Sequence, residues 1–505
     1  MPDAKLVARL AGQVARNAAA VFLRGLLQVA YWLFLAPFIL NHLGARVFGL
    51  WSLIYVIYSY VALLDFGISG ATSKFVAETD PAADPASCRL WISSGFVGLS
   101  VAALAGGLVL WLPVLIGWPA NFGAIAQGGL IPAVWLLLIS SLWANLISYA
   151  ISGLQRQDVA VGMNAAVIVG GALAVWLLLA MRDGLLSVIW VSIAGNLVTI
   201  PWGMAILRRR LGGRVWQKPS IAAIRRLFRF GFWLQIYALV GLFYLFAGKA
   251  WIGATLSLSL VAVYEIGLRL VTLLRQGISM ISSSLMPASA RAYGELGAAA
   301  TARIYELSML GTAFIAAPLF VALALWAVPI VAVWVGPGHE ASAMVMRLLI
   351  PGFFLATFAA LTWFFLVGIG ATKVGAVFSL VEAGLGMVLT VWWSRAWGLN
   401  GIAAAVSIPA VLSLAGYVWL LRLKLPISVA QIACRGLLVP VAICSILGGL
   451  ALKFLPHASP WQLAMSASIF VVTSYGTLYL SPMFGRNYRR QLRQVIAHAP
   501  LSRFA

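Results

Sequence analysis

With 505 residues, 63% of them hydrophobic and only 9% charged, the chain is not a soluble globule, in which about a quarter of residues carry charge. Its formal net charge of +22 invites a nucleic-acid reading, but the basic residues collect between apolar segments, so membrane topology accounts for them and nucleic acid is excluded as a partner. Three cysteines without a CxxC spacing and four scattered histidines give no disulfide framework, metal site or cofactor site.

Apolar segments of membrane-spanning length follow one another at 17–40, 47–70, 90–113, 124–150, 159–181, 185–207, 230–254, 259–286, 304–335, 342–368, 374–394, 400–421, 433–455 and 461–481. Short loops rich in Lys and Arg stay cytoplasmic, and alternate loops obey this rule. Lys5, Arg9 and Arg16 precede span one, Lys74 and Arg89 follow span two, and Arg156 follows span four. Arg208 to Arg229 follow span six, Arg291 and Arg303 span eight, Lys373 span ten, and Arg422, Lys424 and Arg435 span twelve, with Arg486 to Arg503 in the tail. The opposite loops hold only Arg46, Arg182, Arg395 and Lys453, which puts both termini inside. No A-x-A cleavage site follows the first basic residues, so the first span is expected to be retained. Outer loops such as 117–123 and 257–259 leave no room for an outer domain. The inner stretch Ser220 to Phe230 reads as amphipathic and is expected to lie in the interface.

The chain repeats itself. Ala71-Thr72-Ser73-Lys74-Phe75-Val76-Ala77-Glu78, after span two, is echoed by Ala288-Ser289-Ala290-Arg291-Ala292-Tyr293-Gly294-Glu295 after span eight. Gly184-Leu185 entering span six answers to Gly398-Leu399 entering span twelve, and Arg208-Arg209-Arg210 to Arg422-Leu423-Lys424. A repeat of six spans keeps its orientation, so the two copies are related by an axis along the membrane normal. The expected architecture is an all-α polytopic membrane protein of about fourteen helices. Residues 1–212 form an N-terminal lobe, 213–424 a C-terminal lobe, and 425–505 an added helix pair with a basic cytoplasmic tail.

Five basic residues lie within the spans: Arg24, Lys249, Arg269, Arg275 and Arg347. A charge at mid-bilayer costs roughly 2.5–3.5 kcal/mol on insertion scales, so it belongs where protein or a wet cavity receives it. In span eight, Glu265, Arg269, Thr272, Gln276, Ser279 and Ser283 recur at helical spacing on one face, with Arg275 beside them. Span one has Asn17, Arg24, Gln28 and Tyr31; span two has Ser52, Tyr55, Ser59, Asp65 and Ser69; span seven has Gln235 and Lys249. These four spans are equivalent pairs in the two halves and are expected to line one cavity, modestly cationic once Glu265 offsets Arg269 at i, i+4. Guanidinium groups in such a cavity suit phosphate. Arg24, Lys249, Arg269, Arg275, Gln28 and Gln276 are therefore the candidate substrate ligands, and Asp65, Glu265 and Glu382 the candidate ion-coupling acids. Lys249 and Arg347 could instead snorkel to the outer interface, Arg269 with Glu265 could be a structural pair, and Asp65 could satisfy Lys74 or a helix end.

Phe48-Gly49-Leu50-Trp51-Ser52-Leu53, Leu63-Leu64-Asp65-Phe66-Gly67-Ile68 and Lys74-Phe75-Val76-Ala77-Glu78 resemble the opening of bacterial polysaccharide flippases of the Wzx type. Gly153-Leu154-Gln155-Arg156, Val263-Tyr264-Glu265-Ile266-Gly267-Leu268-Arg269-Leu270 and Leu285-Met286-Pro287-Ala288 extend the likeness into the second half. That family belongs to the MOP superfamily, with the MATE exporters and the peptidoglycan-precursor flippases. The resemblance implies a non-enzymatic carrier in the bacterial inner membrane that flips an undecaprenyl-pyrophosphate-linked oligosaccharide outward by alternating access. It implies membrane lipids, and a polymerase and other glycan-assembly proteins, as its other partners. Arg24, Lys249 and Arg269 match the kind of intramembrane basic positions the family uses for the anionic head. Ala247-Gly248-Lys249-Ala250 departs from the Asp that related chains often carry in span seven. A MATE-like exporter of organic cations is the alternative. It would need acids to dominate the cavity. A membrane glycan polymerase or ligase would need a sizeable loop or domain for its catalytic groups, which the short outer loops do not supply.

Overall fold

The computed structural model describes residues 4–79, 84–115, 130–154, 156–180, 184–283, 285–454 and 459–481. The outer loop 117–123, Arg182, His457 and the basic tail lie outside them, as do the side chains of Arg24, Gln235, Arg291 and Lys373.

Every regular element among the described residues is helical. The order is α1 (Ala4–Ala62), α2 (Ile68–Glu78), α3 (Pro85–Leu115), α4 (Leu130–Gly153), α5 (Gln157–Ala180), α6 (Leu185–Arg210), α7 (Ile221–Thr255) and α8 (Leu258–Ser283). Then come α9 (Leu285–Leu325), α10 (Ala327–Val335), α11 (Glu340–Gly368), α12 (Thr372–Ala404), α13 (Ser407–Arg422), α14 (Val429–Phe454) and α15 (Pro460–Leu480). Ten helices among the described residues are long and apolar enough to cross a membrane. α8 is not one of them, because Glu265, Arg269 and Arg275 interrupt it. The protein is a polytopic helical membrane protein. Exposed apolar side chains such as Phe34, Leu108, Val388 and Trp461 are then lipid-facing, and leaving them uncovered costs nothing in hydrocarbon.

The chain divides into two compact units, 1–262 and 263–505. In the first, α4 packs on α2, α3 and α6, while α5 packs on α1 and α6. Spans one and two are a single helical run broken only at Gly44, whose φ of 78° is the one place where α1 turns out of helical geometry. Span two ends early, at Ala62. A turn of 3₁₀-helix over Leu63–Asp65, then Phe66 and Gly67 at positive φ, leads into α2. The stretch 221–230 is the first part of α7, and one of its faces packs on protein while Ile221 and Phe228 stay exposed. Ala223 and Leu227 are buried, and the Arg226 guanidinium lies 4.8 Å from the Phe75 ring centre. Lys74 approaches Phe230 from α2 at 4.1 Å. The linker before α7 is tied to α3, where Ser93 and Ser94 accept the amides of Gln217 and Ser220.

In the second unit α11 is central and mostly buried, whereas α12 and α14 leave most of their apolar residues exposed. It packs on α9, α10, α12 and α13, and the α14–α15 pair leans on α9. The repeated motifs occupy matching helices. α2 starts at Ile68 and the first part of α9 at Leu285, the same offset as Lys74 to Arg291, and Gly297 (φ 80°) ends that part as a kink. Gly398 (φ 54°) breaks α12 where Gly184 precedes α6. α14 opens through a π-helical stretch, Ile432–Leu438, just before Pro440, which has no N–H to complete an α-helical ladder.

Candidate functional site

The polar face expected on span eight is present on α8. Glu265 is buried and forms an ion pair with Arg269, whose side chain is 14% exposed. This is the i, i+4 geometry the sequence spacing requires. Two residues away from the acid, Gly267 brings α11 close: a Cβ there would stand 2.7 Å from the Ser342 carbonyl oxygen. Further along, the Thr272 hydroxyl, the Arg275 Nε and the Ser279 hydroxyl are buried without hydrogen-bond partners among the described residues. Gln276, between them, is exposed. Arg275 lies 5.9 Å from the Phe353 ring centre and within electrostatic reach of Glu382 on α12. Beside that acid is Ser413 of α13, whose buried hydroxyl is placed to donate to the Glu382 carboxylate. Buried donors left without partners cost about 1–3 kcal/mol each, so a water chain or a polar ligand belongs on this face.

The first unit distributes its candidates differently. Gln28 is half-buried on α1, and only the backbone of Arg24 is described. Asp65 sits past the end of span two, where its carboxylate accepts the Ser69 amide at 3.1 Å and caps the start of α2. Lys74 pairs instead with Glu78, at 3.4 Å. Lys249 is 2% exposed and lies 4.5 Å from the Phe246 ring centre, so it is packed in the protein rather than reaching for the outer water. Phe246 meets Tyr55 edge-on at 6.1 Å, which joins the lysine to a chain of rings from α1. Arg347 does have an end-of-helix role. Its Nε donates to the Ala324 carbonyl at 3.0 Å, at the C-terminus of α9.

A cavity of about 310 Å³ opens among α1, α4, α5 and α6. Trp32, Trp51, Tyr55 and Tyr58 wall one side, and Asn145 and Asn196 line it from α4 and α6. An apolar crevice of about 460 Å³ adjoins it between α1 and α5, the two sharing Tyr31 and Ile168. A search of the spans for charge passes over this cavity, since its polar groups are neutral. Its signal in the sequence is the pair of asparagines within otherwise apolar segments. No group of three His, Cys, Asp or Glu side chains among the described residues could hold a metal ion.

The model of the polysaccharide biosynthesis protein family matches residues 14–293, more than half of the chain. The chain belongs to that family. Its fold is that of the MOP superfamily transporters. A structure described as lipid II flippase MurJ in an inward closed conformation superposes with a TM-score of 0.74 at 12% identity, covering 93% of this chain and 99% of that one. An inward-facing multidrug resistance MATE family transporter gives 0.61 at 17% identity, over 79% of this chain and 94% of its own. A MOP superfamily transporter from Pyrococcus furiosus, described as having a binding pocket of reverse polarity, gives 0.53 at 17% identity over 81% and 95%. No curated protein sequence matches significantly. This member of the polysaccharide biosynthesis family thus has the helical frame of flippases and exporters, with its own set of buried charges.

Proposed function

We propose that the protein flips an undecaprenyl-pyrophosphate-linked oligosaccharide from the cytoplasmic to the periplasmic leaflet of the bacterial inner membrane, with both termini cytoplasmic. The repeat lobes 1–212 and 213–424 alternate access to the two sides, and 425–505 is an appended pair. The observation that carries this reading is the face of α8, where Arg269 and Arg275 accompany the unpartnered Thr272 and Ser279 hydroxyls inside a membrane-embedded helix. Donors without acceptors, with a guanidinium among them, suit the oxygens of a pyrophosphate. Arg24, Lys249, Arg269 and Arg275, with Gln28 and Gln276, form the anion-binding set. Asp65, Glu265 and Glu382 are the acids through which a cation gradient would couple. Of these, Glu382 is the strongest, since Glu265 is committed to Arg269 and Asp65 caps α2.

An exporter of organic cations is the second reading, and the frame shared with MATE transporters keeps it in play. Deleting the gene in its host and assaying lipid-linked oligosaccharide by leaflet separates the two. Accumulation on the cytoplasmic face with loss of a surface glycan, rescued by the intact gene and not by Arg269→Gln, is the expected result. Sensitivity to cationic drugs without that accumulation would overturn the flippase reading.

A further inference from the structure

The cavity of the first unit carries chemistry that the charged face of α8 does not. Trp32 and Trp51 approach at 5.5 Å and 49°, and Trp32 and Tyr55 at 5.7 Å and 72°. These inclined rings also line the cavity. Asn145, Asn196 and Ser192 line it as well, the Ser192 hydroxyl donating to the Val188 carbonyl at 3.0 Å and keeping its acceptor capacity. Among the described residues no charged side chain lines it. A phosphate would find no cation there, and an organic cation no carboxylate.

A sugar ring is amphipathic in a matching way. Its C–H face packs on an aromatic ring, while each hydroxyl both donates and accepts, as an amide pair does. The volume of about 310 Å³ is at the lower end for small-molecule sites, room for about one or two sugar rings. Asparagine inside an apolar span is costly without a polar partner; Asn196 has one in Ser140, to whose hydroxyl its Nδ2 donates at 3.2 Å, so it is at Asn145 that a ligand gives the position a reason.

We propose that this cavity is a saccharide subsite, in which neutral sugar of the transported molecule stacks on Trp32, Trp51 and Tyr55 and hydrogen-bonds Asn145, Asn196 and Ser192. This rests on the flippase reading and adds the part of the substrate that the basic residues do not recognise. The division of labour is chemical: cations hold the anionic head, and an uncharged aromatic and amide wall holds the glycan.

The test uses the full chain in detergent and, as probe, the oligosaccharide released by mild acid from the lipid-linked pool of the deletion strain. Binding is followed by quenching of tryptophan fluorescence and by calorimetry. Saturable binding is expected, weakened about tenfold or more in both Trp32→Ala and Asn145→Ala and largely restored in Trp32→Phe, with unchanged unfolding temperatures. Equal affinity in the alanine variants would overturn the subsite, as would saturable binding of tetraphenylphosphonium with none of the oligosaccharide. A deletion strain that accumulates no lipid-linked oligosaccharide would instead overturn the proposed function, and the subsite with it.

Discussion

The two units handle polarity inside the membrane by opposite means. In the second, α8 buries a full ion pair and leaves donors of Thr272, Arg275 and Ser279 without acceptors among the described residues. In the first, the cavity is lined by rings, amides and hydroxyls, and the buried cation Lys249 is not among its lining residues but lies on the Phe246 ring. Charge in low dielectric is strong and reaches far, so it suits a group common to many substrates, such as a phosphate. Stacking and neutral hydrogen bonds are short-ranged and shape-dependent, so they suit the part that varies.

The frames behind these two surfaces differ as well, and that difference gives the largest expected effect. Where α2 begins, Gly67 (φ 69°) meets Gly231 of α7, and a Cβ on Gly67 would stand 2.4 Å from the Gly231 carbonyl oxygen. At Gly297 in α9 (φ 80°) a Cβ would meet nothing within 4 Å. Gly67→Ala therefore carries both backbone strain and a backbone clash and is expected to abolish accumulation of folded protein. Gly297→Ala carries strain alone, about 1–2 kcal/mol, and should yield folded protein with a lowered unfolding temperature. Fluorescence-detected size-exclusion with a thermal ramp measures both. Similar behaviour of the two variants would erase the contrast.

A smaller effect sharpens the electrostatic side. Glu265→Gln or Arg269→Gln alone takes one member from the buried ion pair and is expected to cost about 3–5 kcal/mol. The double variant should recover much of that stability while losing transport, because the face keeps its shape and loses Arg269 from the anion-binding set. Additive losses in a double-mutant cycle would show that the pair is not coupled.

The smallest effect expected is at Arg347. Arg347→Ala removes its hydrogen bond to the Ala324 carbonyl and should lower stability by about 1 kcal/mol with transport unchanged. A transport defect in that variant would move Arg347 from its helix-end role into the anion-binding set.

The spans were legible in the sequence because hydrocarbon imposes length and composition on each segment separately. The matching helices that follow spans two and eight were legible from the echoed motifs, and the Glu265–Arg269 pair from helical spacing alone. The ends of segments were not. Asp65 reads as part of an apolar span and leaves a coupling role, Lys74 or a helix end open; the structure shows it at the start of α2, because the chain leaves helical geometry at Phe66 and Gly67. Ser220 to Phe230 has an amphipathic pattern, but only the structure shows that it opens α7 and that Ala223 and Leu227 are the residues it buries, since a periodic face does not say what receives it.

By itself, then, the sequence determined a multi-pass helical protein whose basic residues collect in alternate loops, its internal echo and the polar face of α8, all of which are consequences of local composition and period. Only the tertiary structure decided which cations are packed and which cap helix ends, and that asparagines from α4 and α6 share a cavity with rings from α1. Those outcomes depend on which helices become neighbours, and one chain's hydropathy pattern gives every apolar face the same reason to pack.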